Sequence, residues 1–133
     1  QNNRKASLVK KLILCVIFCL MYCIGLRPKE ARMLKKNDVD LEHGVLNIVE
    51  TKGHDQHYVA VHESMIIIMR EYDRRMEELI PERVYFFPGK KDGYRSKEWL
   101  RENFANLWKT ANPTVHAISY DFRHNYATFN INK

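Results

Sequence analysis

Leu12 to Ile24 is a run of thirteen residues without a charged side chain, and it ends on Gly25-Leu26-Arg27-Pro28. Thirteen helical residues extend about 20 Å, short of the roughly 30 Å of bilayer hydrocarbon, so a buried core helix is expected rather than a membrane span. The helix is expected to begin at Ala6 or Ser7 and to end at Ile24. Gly25 tolerates the left-handed geometry that closes a helix, and Pro28 suits the first position of a new short one. Arg27 is therefore expected to be pinned between two helices. Cys15, Cys19 and Cys23 step by four along the run and should stack on one face, where free cysteine behaves as a small hydrophobe. Three cysteines without a Cys-x-x-Cys pair argue against a disulfide framework and a zinc site, and they fit a reducing cytoplasm. No small-residue cleavage site follows the run, so it does not read as a secretory signal.

The chain has 133 residues, 45% hydrophobic and 29% charged. That balance suits one globular domain or part of one. A net charge of +6 leans toward polyanionic partners, although a solvated basic surface would look the same.

After Pro28 a short helix should carry Glu30, Ala31 and Leu34. Three runs of β-formers follow: Val39 to Leu41, Val45 to Glu50 and His57 to Val61. His43-Gly44 and Lys52-Gly53-His54-Asp55 separate them, so a three-stranded antiparallel meander is the simplest reading. Met65, Met69, Tyr72, Met76 and Leu79 or Ile80 recur at helical spacing, with Arg70, Glu71, Arg74 and Glu78 opposite and Pro81 as the stop. Val84 to Phe87 reads as a brief strand and 88–95 as a loop. A further amphipathic helix is expected from Lys97 to Lys109. Ser119 is a plausible N-cap for a last helix near Tyr120, which would put Arg123 in the first turn. The fold expected is a mainly helical α+β domain with a small three-stranded antiparallel sheet.

Three cations then stand on three separate elements: Arg27 at a helix break, Lys52 on a hairpin turn and Arg123 in Tyr120-Asp121-Phe122-Arg123-His124. Converging on one phosphate, two arginines would bind its oxygens bidentately, and a lysine would add a point charge and a transferable proton.

These segments resemble the catalytic domain of the tyrosine recombinases, the phage integrase family. Gly25-Leu26-Arg27-Pro28-Lys29-Glu30-Ala31 with Leu34 and Asp38-Val39-Asp40-Leu41 is similar to that family's first arginine motif. Thr51-Lys52-Gly53 followed by Tyr58-Val59-Ala60-Val61 is similar to its lysine hairpin, and Tyr120 to His124 with Ala127 to its second arginine motif. The resemblance runs from about Leu8 to Thr128, with the motifs in family order. It implies transesterification at a phosphodiester of double-stranded DNA through a 3′-phosphotyrosine, with no metal or nucleotide cofactor and no small-molecule substrate. It further implies a homo-oligomer, a tetramer on DNA. Arg27 and Arg123 would be the clamps and Lys52 the proton donor to the leaving oxygen. Tyr120 stands where many relatives carry histidine. A phenol with an ordinary pKa near 10 is a donor rather than a base at neutral pH. Glu30 and His124 would support. His57 and Ala60 occupy hairpin positions where relatives often place arginine and proline.

The family's nucleophilic tyrosine follows the second arginine motif, and Tyr126 is one turn past Arg123, too close to match it. The expectation is a single catalytic domain over 1–133, incomplete at its C-terminus and unable to cleave DNA alone.

Each residue also has an ordinary reading. Arg27 could pair with Glu30, and Lys52 could be a solvated turn residue. His124 could be a packed helix histidine, and His54 with His57 solvated side chains. Phe104, Trp99, Trp108 and Tyr126 read as core aromatics. Lys35-Lys36 and Lys90-Lys91 are either DNA-backbone contacts or solvated charges. Two rival functions remain open: a catalytically inactive DNA-binding module or regulatory subunit of the same fold, and a helical protein-interaction domain.

Overall fold

The computed structural model describes residues 2–49, 56–91 and 93–110. They fall into two compact units, Gln1–Lys97 and Glu98–Lys133. In the first unit the order is α1 (Asn2–Cys19), a wide π turn (Leu20–Ile24), α2 (Pro28–Arg32) and a 3-10 turn (Lys36–Asp38). Strands β1 (Val39–Asp40), β2 (Val45–Val49) and β3 (Gln56–Ala60) follow, then α3 (Glu63–Leu79). α4 (Lys97–Thr110) starts at the boundary, and from Glu98 on it is the described part of the second unit, with Leu100, Asn103 and Phe104 buried.

The first helix is longer than its apolar run. Arg4 to Ile24 is one continuous helical stretch, about 31 Å at 1.5 Å per residue, long and apolar enough to cross a bilayer by length and composition. The length argument against a membrane span therefore fails. Packing carries that assignment instead. Ile13, Ile17 and Leu20 are fully buried, Val9 and Val16 nearly so, and α1 packs on α3. Each aliphatic side chain so buried contributes about 1.5–3 kcal/mol.

The cysteine stripe does not join this core. Cys15 and Cys23 are exposed and Cys19 is half-buried. An unbroken apolar run does not say which side faces inward, and the buried stripe follows Val9, Ile13, Ile17 and Leu20 instead. Burial first, then the neighbouring Cys15 and Cys23, pushes the Cys19 thiol up to about 11.

The last turn of the first helix is also wider than an α-turn. Gly25, at φ 84°, donates its N–H to the Leu20 carbonyl, and Leu26 N–H reaches the same oxygen at 3.3 Å. A residue with a Cβ would be strained at that φ.

The sheet order is β1-β2-β3, antiparallel throughout, with register Val39↔Leu46, Leu46↔Val59 and Val49↔Gln56. Leu46 and Ile48 point into the core at 1% exposure, whereas β3 is exposed along almost its whole length. Gly44, at φ 68°, makes the turn between β1 and β2. Asp40 braces that turn: its Oδ1 accepts from His43 N–H at 3.0 Å and Glu42 N–H at 3.1 Å.

On α3, Met65, Met69, Tyr72 and Met76 are buried, as their spacing predicts. His62 caps the helix, its Nδ1 accepting from Ser64 N–H at 3.1 Å. Tyr72 packs against Phe86 and Phe87 at centroid distances of 5.0 and 5.4 Å, and its hydroxyl donates to the Phe86 carbonyl at 2.7 Å. Burial pushes that phenol well above its usual range.

Val84–Phe87 forms one bridge, Lys35↔Tyr85, rather than a strand. Lys36 N–H donates to Val84 O and Phe86 N–H to Leu34 O. The ladder cannot extend, because Lys36–Asp38 coils into a 3-10 turn on one side and Pro88 has no N–H on the other.

Candidate DNA-phosphate site

Arg27 is positioned by its own neighbours in the chain. It is the N-cap of α2, with extended backbone (φ −70°, ψ 150°), and Pro28 is the first helical residue. Leu26 before it is buried, and Ala31 and Leu34 after it are buried, so the backbone is anchored on both sides. Its carbonyl accepts from Ala31 N–H at 3.0 Å.

Glu30 sits three residues on, and its Oε1 accepts from the Arg27 main-chain N–H at 2.8 Å. A guanidinium has no acceptor to return the bond, so this is half of a capping box. The Arg27–Glu30 pairing considered from sequence is thus a main-chain cap. The Arg27 side chain is exposed and its guanidinium has no partner among the described residues. An anchored main chain carrying an uncommitted guanidinium can meet an oxyanion without first breaking an ion pair.

Lys52 lies in the 50–55 segment that joins β2 to β3. The last pair before that segment, Val49↔Gln56, frames a hairpin. Lys52 itself, and His54, lie outside the described residues, as do Tyr120, Arg123, His124 and Tyr126. His57 is exposed on β3, opposite Ile48.

Sequence reading missed Arg32. Its guanidinium is buried on α2: one terminal nitrogen donates to the Arg95 carbonyl at 2.9 Å, the group lies 5.8 Å from the Tyr94 ring centre, and Nε is buried without a partner among the described residues. Nothing in the pattern marks a buried arginine five residues after an exposed one. Arg83 was missed likewise. Its side chain, 1% exposed, bonds Asp73 at 2.6 Å and Glu77 at 2.9 Å and lies over the rings of Tyr72 and Phe86.

A short α2 with an arginine N-cap, a three-stranded meander and a long amphipathic helix define a mainly helical α+β domain of the recombinase type. The phage integrase family model matches residues 2–133, and the chain belongs to that family. It is 28% identical over 120 residues to the tyrosine recombinase XerC of Bacillus pumilus (strain SAFR-032), covering 86% of this chain and 39% of the relative. Over 78 residues it is 33% identical to y4eF of Sinorhizobium fredii (strain NBRC 101917 / NGR234), named as a putative integrase/recombinase, covering 59% of this chain and 30% of that protein. The fold is similar to the crystal structure of XerA recombinase, with a TM-score of 0.66 at 19% identity, over 85% of this chain and 43% of that one. The chain thus spans less than half the length of these proteins.

Proposed function

We propose that the longer protein carrying this chain cuts and rejoins double-stranded DNA in site-specific recombination or integration. A tyrosine hydroxyl gives up its proton to solvent as its oxygen attacks the scissile phosphorus, the bond to the 5′ oxygen breaks, and a 3′-phosphotyrosine link keeps the bond energy. The leaving 5′ oxygen takes a proton from Lys52, and a partner 5′-hydroxyl later reverses the step. Charge gathers on the equatorial phosphate oxygens during transfer, and Arg27 and Arg123 are the fixed donors that meet it. Tyr120 donates a further hydrogen bond, Glu30 holds the Arg27 main chain, and His124 supports. The nucleophile belongs to the longer protein, which works as a homo-oligomer on DNA, a tetramer, in the cytoplasm.

The observation that carries this reading is an uncommitted guanidinium on a doubly anchored backbone, in a chain matched to the phage integrase family over residues 2–133. The test uses the full-length protein and a nicked DNA duplex that traps the covalent intermediate. Arg27→Ala and Arg123→Ala should each slow trapping by about 100- to 1000-fold. Trapping at the unmodified rate in either variant overturns the role given to that residue. No covalent adduct from the unmodified protein favours a catalytically inactive DNA-binding module.

A further inference from the structure

The cations of the first unit are unevenly neutralised. On α3, Arg74 and Arg75 both bond Glu71, Arg74 also reaches Glu78, and Arg83 bonds Asp73 and Glu77. Lys36 is paired with Glu77. Around α2 the pattern reverses. Lys29, Lys35, Lys90 and Lys91 are exposed and have no carboxylate partner among the described residues. Arg32 is buried on α2 with a carbonyl and a tyrosine ring for company, and no carboxylate among the described residues. A buried cation that no carboxylate offsets projects positive potential through low-dielectric surroundings, and a nearby anion relieves its cost.

Backbone hydrogen bonds brace the described part of the 88–95 loop that carries Lys90 and Lys91. Pro88↔Tyr94 is a bridge, Gly89 N–H donates to Gly93 O at 2.8 Å, and Gly93 N–H donates to Lys90 O at 2.9 Å. A Cβ at Gly89 would come within 2.6 Å of the Tyr94 carbonyl, so only glycine lets the two arms close. Arg95 Nε donates to Pro88 O at 2.9 Å across the base. Lys90 and Lys91 form the tip, with Lys91 at φ 52°; Asp92 lies outside the described residues.

This hairpin is tied to the helix that bears Arg27. Arg32 donates to Arg95 O, and the Tyr94 ring meets the Tyr85 ring edge-on at 5.1 Å. Lys35 is bridged to Tyr85, and bridged residues project to the same side of a ladder. Lys35, Tyr85 and Tyr94 therefore share a face, and Tyr94 is 42% exposed.

We propose that Lys35, Lys90 and Lys91, with the hydroxyl-bearing rings of Tyr85 and Tyr94, form a ledge that grips the DNA sugar-phosphate backbone beside the phosphate held by Arg27. The inference rests on the DNA reading above, and it assigns backbone contacts rather than base recognition. Lysines and tyrosine hydroxyls donate to phosphate oxygens without reading sequence.

The experiment measures affinity of the full-length protein for a non-specific duplex oligonucleotide across a salt series. Removing one lysine–phosphate pairing lowers the slope of log affinity against log salt by about 0.9. K90Q/K91Q should lower its magnitude by about 1.8, and adding K35Q by about 0.9 more. R74Q/R75Q, which removes two cations already paired with carboxylates, should leave the slope unchanged. An unchanged slope in K90Q/K91Q, or an equal fall in R74Q/R75Q, overturns the ledge. The outcomes separate from those of the cleavage test. A reduced slope without covalent trapping keeps the ledge and discards the catalytic reading, and absence of duplex binding discards both.

Discussion

Arg83 offers a test in which two ways of breaking one network must cost different amounts. Its guanidinium is the buried member, with the side chain 1% exposed, whereas Asp73 is 25% and Glu77 39% exposed. Arg83→Met removes the desolvated charge and leaves two carboxylates that water can reach. The methionine also refills the space against Tyr72 and Phe86, and the Phe86 carbonyl keeps its bond from the Tyr72 hydroxyl. The expected cost is about 1–2 kcal/mol, from the broken ion pairs and the cation missing over the two rings. Asp73→Asn with Glu77→Gln does the opposite. It leaves amide oxygens as acceptors but removes both negative charges, so a buried guanidinium has no counter-charge, and Lys36 loses its ionic partner. Stranding a buried charge costs about 3–5 kcal/mol. Urea denaturation of the full-length protein, compared between the two variants, reads the difference. If Arg83→Met destabilises as much as the double variant, the claim that desolvation dominates this network is wrong.

Glu30→Ala should slow covalent trapping about 3- to 30-fold, because a lost cap costs about 0.5–2 kcal/mol of α2 order, while Glu30→Gln keeps an acceptor and stays near the unmodified rate. Equal losses for Glu30→Ala and Arg27→Ala would show that Glu30 does more than hold the main chain. Hydrogen bonds from Arg74 and then Arg75 hold the Glu71 carboxyl down at about 2, below an unfolded value near 4.3. Its contribution is therefore present above pH about 4.3 and fades as pH falls toward 2, so Glu71→Gln should flatten the acid limb of stability in that window. Asp40, lowered chiefly by the His43 N–H bond, acts with the same sign, and Asp40→Asn should also flatten the acid limb. Both groups are solvent-exposed, so high salt should shrink the Glu71 difference; an acid limb unmoved by either substitution refutes the assignment.

What could be read from the sequence was local. Gly25 and Pro28 mark a stop and a start because each fixes its own backbone, and they placed Arg27 at the junction without any tertiary contact. The period of Met65, Met69, Tyr72 and Met76 set the buried face of α3, because α3 alternates polar and apolar sides. Alternation and turn residues likewise set the three-stranded meander. The first helix had no such alternation. An all-apolar run carries no information about which side will be covered, so only packing on α3 decided that Ile13 and Ile17 face inward and Cys15 and Cys23 outward. The same holds for charge. A run of lysines and arginines does not reveal which are neutralised, since an ion pair depends on distance in space rather than spacing in the chain. Tertiary structure alone made Arg83 a paired, buried cation, left Arg32 without a carboxylate among the described residues, and fastened the Lys90–Lys91 hairpin to the helix that Arg27 caps.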